Sequence, residues 1–101
     1  MNRKTILIEG DNFSTLESFY IEIDRVLTKD LNWKTGHNLN AFNDLLRGGF
    51  GVHEYGEPIK LIWQNSAKSK TDLSAIESGL TIYQTLVEII KDQLQIEFIE
   101  N

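Results

Sequence analysis

Hydrophobic residues are spaced along the chain in patterns that predict three strands separated by helices. Residues 5–9 form a short apolar run, as expected for a strand covered on both faces. Residues 59–63 form a second run after Pro58, because proline at the start of a strand costs no ladder hydrogen bond. A third segment near the end of the chain alternates between apolar and polar residues, which predicts a half-exposed strand. Its apolar members are Leu94, Ile96 and Phe98.

Apolar residues at three- and four-residue steps predict helices between these strands. The first helix is expected to begin at Ser14, because Ser14 and Glu17 fit a capping box. Asn38 can cap a second helix, which would end at the following glycine pair. A third helix is predicted from Leu80, and a short helix around residues 72–76 is left open. The apolar positions are Leu16, Phe19, Tyr20, Ile23, Val26 and Leu27 in the first helix, Leu39, Phe42, Leu45 and Leu46 in the second, and Leu80, Tyr83, Leu86, Val87 and Ile90 in the third.

This alternation of strands and helices predicts the α/β class. Parallel strands require crossover connections, and helices supply them on the faces of the sheet. We therefore expect a three-stranded parallel sheet packed by three to four helices. The sequence contains neither a repeat nor a linker, so residues 1–101 are expected to form a single domain.

Composition narrows the possible functions. The chain has 101 residues, with 10 Lys and Arg against 15 Asp and Glu, and its net charge of -5 disfavours nucleic-acid binding. The same acidity can simply maintain solubility. The absence of cysteine excludes thiolate catalysis, Cys-ligated zinc and disulfides. Because the sequence shows neither a membrane-length apolar run nor the hydrophobic stretch of a signal peptide, we expect a cytoplasmic protein with no membrane partner.

Catalysis has little support among the residue patterns. His37 and His53 are candidates for a general acid and base, but no basic cluster stands ready to hold a phosphate. The glycine-rich residues 47–51 follow a predicted helix instead of preceding one, which argues against a nucleotide site. No His, Asp or Glu pair shows the spacing of metal ligands on a helix. We therefore predict a protein that is not an enzyme and needs no cofactor or metal.

Polar faces on two predicted helices are the remaining candidates for function. In the last helix, Glu88 and Asp92 lie one turn apart on the predicted solvent side. A solvated surface has the same pattern, so these faces alone do not predict a partner. Trp33 lies outside the periodic stripes and is either a core residue or a binding anchor. The polar face of the second helix is formed by Asn40, Asn43, Asp44 and Arg47.

Residues 36–46, GHNLNAFNDLL, resemble the signature G-x-N-L-D-A-(L/F)-W-D-x-L of the barstar family. Members of that family are intracellular inhibitors of a secreted bacterial ribonuclease. The similarity extends over most of the chain, because the strands and helices before and after the motif follow in the order of the family. The resemblance implies a three-stranded parallel sheet, a small basic ribonuclease as the protein partner, and a chain that is monomeric when free.

The resemblance also implies a partner-binding surface. Asp44 matches the acid that enters the phosphate site of the nuclease, Glu88 matches a second acidic contact, and Asp92 is placed like a peripheral one. A carboxylate suits this role because a ribonuclease must surround phosphate with cationic side chains. The expected partner-binding residues are Trp33, Lys34, Thr35, Gly36, His37, Asn38, Asn40, Asn43, Asp44, Arg47, Glu88 and Asp92.

The chain departs from the family pattern within this surface. Asn40 stands where the family usually has Asp, and Asn43 stands where barstar has Trp. The tyrosine of the preceding loop is replaced by Lys34 or Thr35, depending on the alignment. One charge and one aromatic side chain of the interface are therefore missing, which bears on the identity of the nuclease and not on the fold.

The segment of residues 48–57 is longer than its barstar counterpart. His53 and Tyr55 in this segment can supply substitute contacts or can simply belong to a surface loop. The alternative to nuclease inhibition is an acidic interaction module, or one that neutralises a toxin other than a nuclease.

Overall fold

The computed structural model describes residues 4–27, 38–47 and 56–101. Within these ranges, no helix is long and apolar enough to cross a membrane. The elements in chain order are β1 (Lys4–Glu9), a 3-10 turn (Gly10–Asn12), α1 (Leu16–Leu27), α2 (Leu39–Arg47), β2 (Ile59–Gln64), α3 (Ser66–Asp72), β3 (Ile76–Glu77), β4 (Leu80–Thr81), α4 (Ile82–Lys91) and β5 (Ile96–Glu100).

The main sheet is parallel, with the strand order β1-β2-β5. The central strand β2 pairs with both of its neighbours, so that Leu61 lies between Ile6 and Phe98. Helices connect the strands, as crossover connections between parallel strands require. The predicted α/β class and the predicted three-stranded parallel sheet are both confirmed.

One face of this sheet packs against the helices and forms one side of the hydrophobic core. Ile8 and Trp63 are fully buried there, and the indole of Trp63 stacks on the ring of Phe19 from α1 with centroids 5.3 Å apart. The Trp63 indole N–H donates to the hydroxyl of Ser69 at 2.9 Å, which satisfies the buried donor. The prediction that the first strand is covered on both faces is wrong, because β1 is an edge strand and its Leu7 is exposed.

The segment between β2 and α4 differs from the sequence-based expectation. The short helix lies at Ser66–Asp72 instead of around residues 72–76. Residues 76–81 form a small antiparallel hairpin, in which Ile76 pairs with Thr81. Its turn contains Ser78 and Gly79 with φ values of 56° and 86°, a conformation that favours glycine. Strands of two residues are too short to show a period in the sequence.

The first helix begins one residue later than predicted. The backbone N–H of Ser18 donates to Thr15 Oγ1 at 3.1 Å, and the backbone N–H of Thr15 donates to Ser18 Oγ at 3.0 Å. Thr15 and Ser18 therefore make the reciprocal capping contacts that were predicted for Ser14 and Glu17. Ser18, at the third helical position, accepts from the backbone N–H of the N-cap as a glutamate would. The N-cap is therefore Thr15 and not Ser14.

The last helix begins at Ile82 and not at Leu80. Thr81 is the N-cap, and it forms a capping box with Gln84 through contacts of 3.0 and 2.9 Å. Leu80 belongs to β4 and is exposed, so its predicted place in the apolar stripe is wrong. Because the capping box fixes the start of α4 at Thr81, Leu80 lies outside the helix.

A buried carboxylate joins α1 to the end of β1. The side chain of Glu22 is only 3% exposed and accepts hydrogen bonds from the backbone N–H of Glu9 at 3.0 Å and from Asn12 Nδ2 at 3.1 Å. Arg25 adds a bidentate contact through Nε at 2.9 Å and Nη2 at 2.7 Å. Burial alone would raise the pKa of Glu22, but the bonds from Arg25, Glu9 and Asn12 together lower it.

Candidate functional site

The helix α2 divides into a buried side and an exposed side. Phe42, Leu45 and Leu46 are buried in the core, as the apolar pattern predicted. The N-cap is also confirmed, because Asn38 Oδ1 accepts from the backbone N–H of Ala41 at 2.8 Å. Leu39, which was predicted to be buried, is exposed in the first turn of α2, where it borders an open groove against α1.

Asp44 and Arg47 lie on the exposed side of α2. The Asp44 side chain is 60% exposed and the Arg47 side chain is 52% exposed. Arg47 Nη1 lies 3.7 Å from Asp44 Oδ1, a loose pair in a solvent environment where such pairs contribute little. The carboxylate of Asp44 can therefore exchange this neighbour for a stronger cationic partner. Asn40 is exposed one turn earlier on the same helix.

Asn43 occupies a different environment from the rest of the polar face. It is half-buried, and its Oδ1 accepts a hydrogen bond from Gln93 Nε2 at 2.6 Å. Gln95 Nε2 adds a contact of 3.3 Å to the backbone carbonyl of Leu46. These two glutamines tie the segment after α4 to α2. Sequence patterns carry no signal for such contacts, because the partners are 50 and 49 residues apart.

Glu88 and Asp92 are exposed on α4, as the helical spacing predicted. Asp92 caps the C-terminus of α4, where its backbone N–H donates to the carbonyl of Glu88 at 3.0 Å. Asp44 follows Asn43 and Asp92 precedes Gln93, so both acids lie one residue from the contact between the two segments. We call Asp44, Glu88 and Asp92 the acidic face.

The segment between α4 and β5 is a turn and not the start of a strand. The backbone N–H of Ile96 donates to the carbonyl of Gln93 at 3.1 Å, and β5 begins only at Ile96. Leu94 is 96% exposed, so its predicted place in the alternating pattern of the third strand is wrong. Because the turn bends the chain, Leu94 no longer shares a sheet face with Ile96 and Phe98.

A groove of about 490 Å³ lies between the start of α1 and the start of α2. Leu16, Tyr20 and Leu39 form much of its apolar lining, and Asn38 and Asn40 border it from α2. Burial raises the pKa of the Tyr20 hydroxyl, and the carboxylates of Glu17 and Glu77 raise it further. The groove thus presents a neutral phenol near the N-terminus of α2.

Several predicted site residues lie outside the described residues, and their roles stay predictions. They are Trp33, Lys34, Thr35, Gly36 and His37 before α2, and His53 and Tyr55 in the segment of residues 48–57. Among the residues that the structure does describe, no three His, Asp or Glu side chains are grouped so that they could hold a metal ion. The described part of the candidate site is therefore a protein surface with three acids on two tethered helices.

Comparison with known proteins agrees with this architecture. The family model described as Barstar (barnase inhibitor) matches residues 3–98, which is nearly the whole chain. A search of curated proteins returned no match. The matched region includes both helices of the acidic face, and the proteins of this family are inhibitors and not enzymes. The chain belongs to the barstar family, the family of the barnase inhibitor.

Proposed function

We propose that the chain inhibits a small, basic, secreted ribonuclease of the barnase type by inserting Asp44 into the phosphate site of the enzyme. The family match carries this proposal, since members of the barstar family have a ribonuclease as their protein partner. The exposure of Asp44 on a helix whose opposite side is buried supports the assignment of the inserted acid.

Charge complementarity supplies the mechanism. A ribonuclease holds the phosphate of its substrate with cationic side chains, and a carboxylate offers them hydrogen-bond acceptors without a bond to cleave. Phe42, Leu45 and Leu46 fix α2 in the core, so the backbone that carries Asp44 is ordered before binding. Binding replaces the loose contact with Arg47 by charge-assisted hydrogen bonds in a site from which water is excluded.

The remaining site residues take supporting roles in the proposal. Glu88 and Asp92 attract the basic enzyme and lie toward the rim, where charges act mainly on the association rate. The net charge of -5 adds a longer-range attraction. Asn38, Asn40 and the preceding residues 33–37 would contact the enzyme around Asp44.

Titration of a ribonuclease with the purified chain tests the function. We expect RNA cleavage by at least one enzyme from a panel of small secreted ribonucleases, barnase included, to fall to zero near one equivalent of the chain. A stoichiometric blocker requires this end point. Cleavage of RNA by the chain alone, abolished when His37 or His53 is replaced, would support an enzyme instead. Neutralisation of a toxin that is not a nuclease, without inhibition of any panel member, would support the alternative interaction module.

Asp92→Ala tests the steering role of the acidic face. We expect the variant to associate with the inhibited ribonuclease about two- to fivefold more slowly at low salt, with a smaller deficit at high salt, because salt screens charges at the rim. Stopped-flow fluorescence measures both rates. Glu97→Ala is the matched control, since it removes one exposed acid from β5, where Glu97 pairs in register with Lys60 and not with a core residue of β2. Equal association rates for the two variants would leave Asp92 an ordinary solvated acid.

A further inference from the structure

Leu94 is an unusual side chain for the surface of this protein. At 96% exposure it is more exposed than the other large hydrophobic side chains on the described surface. A leucine in this position contributes little to folding, because almost none of its apolar area leaves water in the free protein. Single exposed leucines are common on protein surfaces, and this one is distinguished by the residues around it.

The turn that carries Leu94 is fixed on both sides. Before it, Gln93 donates to Asn43 Oδ1 at 2.6 Å, and the backbone N–H of Gln93 donates to the carbonyl of Ile90 at 3.1 Å. After it, Gln95 donates to the carbonyl of Leu46 at 3.3 Å and accepts from the backbone N–H of Ile59 at 3.2 Å. These bonds attach the turn to α2, α4 and β2. The backbone at Leu94 is therefore ordered before any partner arrives, which lowers the entropy cost of burying its side chain.

The position of the turn connects it to the acidic face. Asp92 lies two residues before Leu94, and Asn43, the partner of Gln93, lies one residue before Asp44. An apolar side chain next to charged groups matches the anatomy of protein interfaces, in which a desolvated apolar contact is bordered by polar residues. Leu94 thus extends the surface around Asp44 and Asp92 by one apolar contact.

We propose that Leu94 is an apolar anchor that the ribonuclease buries when it binds the acidic face. The inference rests on the proposed function and extends the partner-binding surface to the turn between α4 and β5. It predicts that the enzyme carries, beside its cationic phosphate site, a shallow apolar depression that receives Leu94. Apolar burial and charge steering act on different rate constants, so the two contributions can be separated.

The test compares Leu94→Ala with Ile76→Ala. Ile76 is also a large apolar side chain on the surface, and it is 72% exposed. Its hairpin lies at the other end of α4, about 15 Å away along a ten-residue helix. The ligand is the ribonuclease that the wild-type chain inhibits most strongly in the titration. Surface plasmon resonance gives the association and dissociation rates at low and high salt, and thermal melts check the fold.

We expect Leu94→Ala to dissociate roughly tenfold faster than the wild type at both salt concentrations, because apolar burial is not screened by salt. Its association rate and melting temperature should stay unchanged, and Ile76→Ala should match the wild type in every measurement. Leu94→Met, which keeps the apolar area, should dissociate within about twofold of the wild-type rate.

The outcomes separate the anchor from the function. If the wild-type chain inhibits the ribonuclease and Leu94→Ala dissociates within twofold of the wild type, the anchor is wrong and the proposed function stands. An effect of equal size in Ile76→Ala would also contradict the role of Leu94 as an anchor, because the faster dissociation would then not be specific to the turn. If the wild-type chain inhibits none of the panel, the proposed function fails and the anchor fails with it.

Discussion

Asp44→Ala is expected to bind the partner ribonuclease at least thirtyfold more weakly than the wild type while keeping its fold. In the proposed complex the carboxylate is desolvated among cationic groups, and its removal leaves those groups buried without a counter-charge. Truncation of a buried charged partner costs about 2–5 kcal/mol, which corresponds to about thirtyfold to several thousandfold in affinity. An exposed pair contributes only about 0.2–1 kcal/mol.

The free protein gives no reason for a loss of stability in this variant. Asp44 is 60% exposed, and its contact with Arg47 is loose at 3.7 Å. Substitutions at such positions change the free energy of unfolding by about 0.5 kcal/mol or less. The melting temperature of Asp44→Ala should therefore stay within a few degrees of the wild-type value.

Isothermal titration calorimetry on the inhibited pair measures the affinity. Arg47→Ala is the matched control on the same face of α2, because it breaks the loose pair without removing the carboxylate. Its effect on binding should be much smaller than that of Asp44→Ala. A loss below threefold for Asp44→Ala would show that Asp44 is not the phosphate mimic, whatever surface the chain uses to inhibit the enzyme.

Sequence patterns predicted the elements in which contact with the core determines the spacing of apolar residues. Phe42, Leu45 and Leu46 recur at helical steps because one side of α2 packs inward, and the structure buries all three. Leu39 follows the same period but lies in the first turn, where it borders an open groove. A periodic pattern therefore identifies the buried side of a helix better than it identifies how far burial extends toward the ends.

The features that the sequence did not predict depend on contacts between distant residues or on very short segments. The hairpin strands Ile76–Glu77 and Leu80–Thr81 contain two residues each, too few for an alternation to be visible. The bond between Asn43 and Gln93 joins residues 50 positions apart. The wrong prediction for Leu94 has a local cause, because a turn of a few residues, with a bond from the Ile96 N–H to the Gln93 carbonyl, separates Leu94 from β5.

The buried carboxylate of Glu22 leads to the second large expected effect. Glu22→Ala removes the acceptor for the backbone N–H of Glu9 and the amide of Asn12, which join the end of β1 to α1. Arg25 also loses its partner, but its side chain is 56% exposed and can turn to solvent. The lost hydrogen bonds and the unpaired donors should lower the free energy of unfolding by about 2–4 kcal/mol.

For a domain of this size such a loss lowers the melting temperature by roughly 10–30 °C. Thermal unfolding followed by circular dichroism measures the effect. Glu88→Ala, which removes an exposed glutamate from α4, should change the unfolding free energy by about 0.5 kcal/mol or less. Equal melting temperatures for the two variants would show that the Glu22 contacts contribute no more than a surface charge.

Acid should reveal how much of this contribution comes from the ionised form of Glu22. The hydrogen bonds from Arg25, Glu9 and Asn12 hold the pKa of Glu22 below its ordinary value of 4.5 in the folded protein. A lowered pKa stabilises the fold above the pKa of the unfolded chain, and the stabilisation is lost as the pH falls through the folded pKa. Urea unfolding of the wild type and of Glu22→Gln, which cannot ionise, should therefore differ most at pH 7 and converge as the pH falls below 4.5 and through the lowered pKa of the folded protein. A difference that stays constant from pH 7 to pH 3 would show that the shape of the side chain, and not its charge, stabilises the junction of β1 and α1.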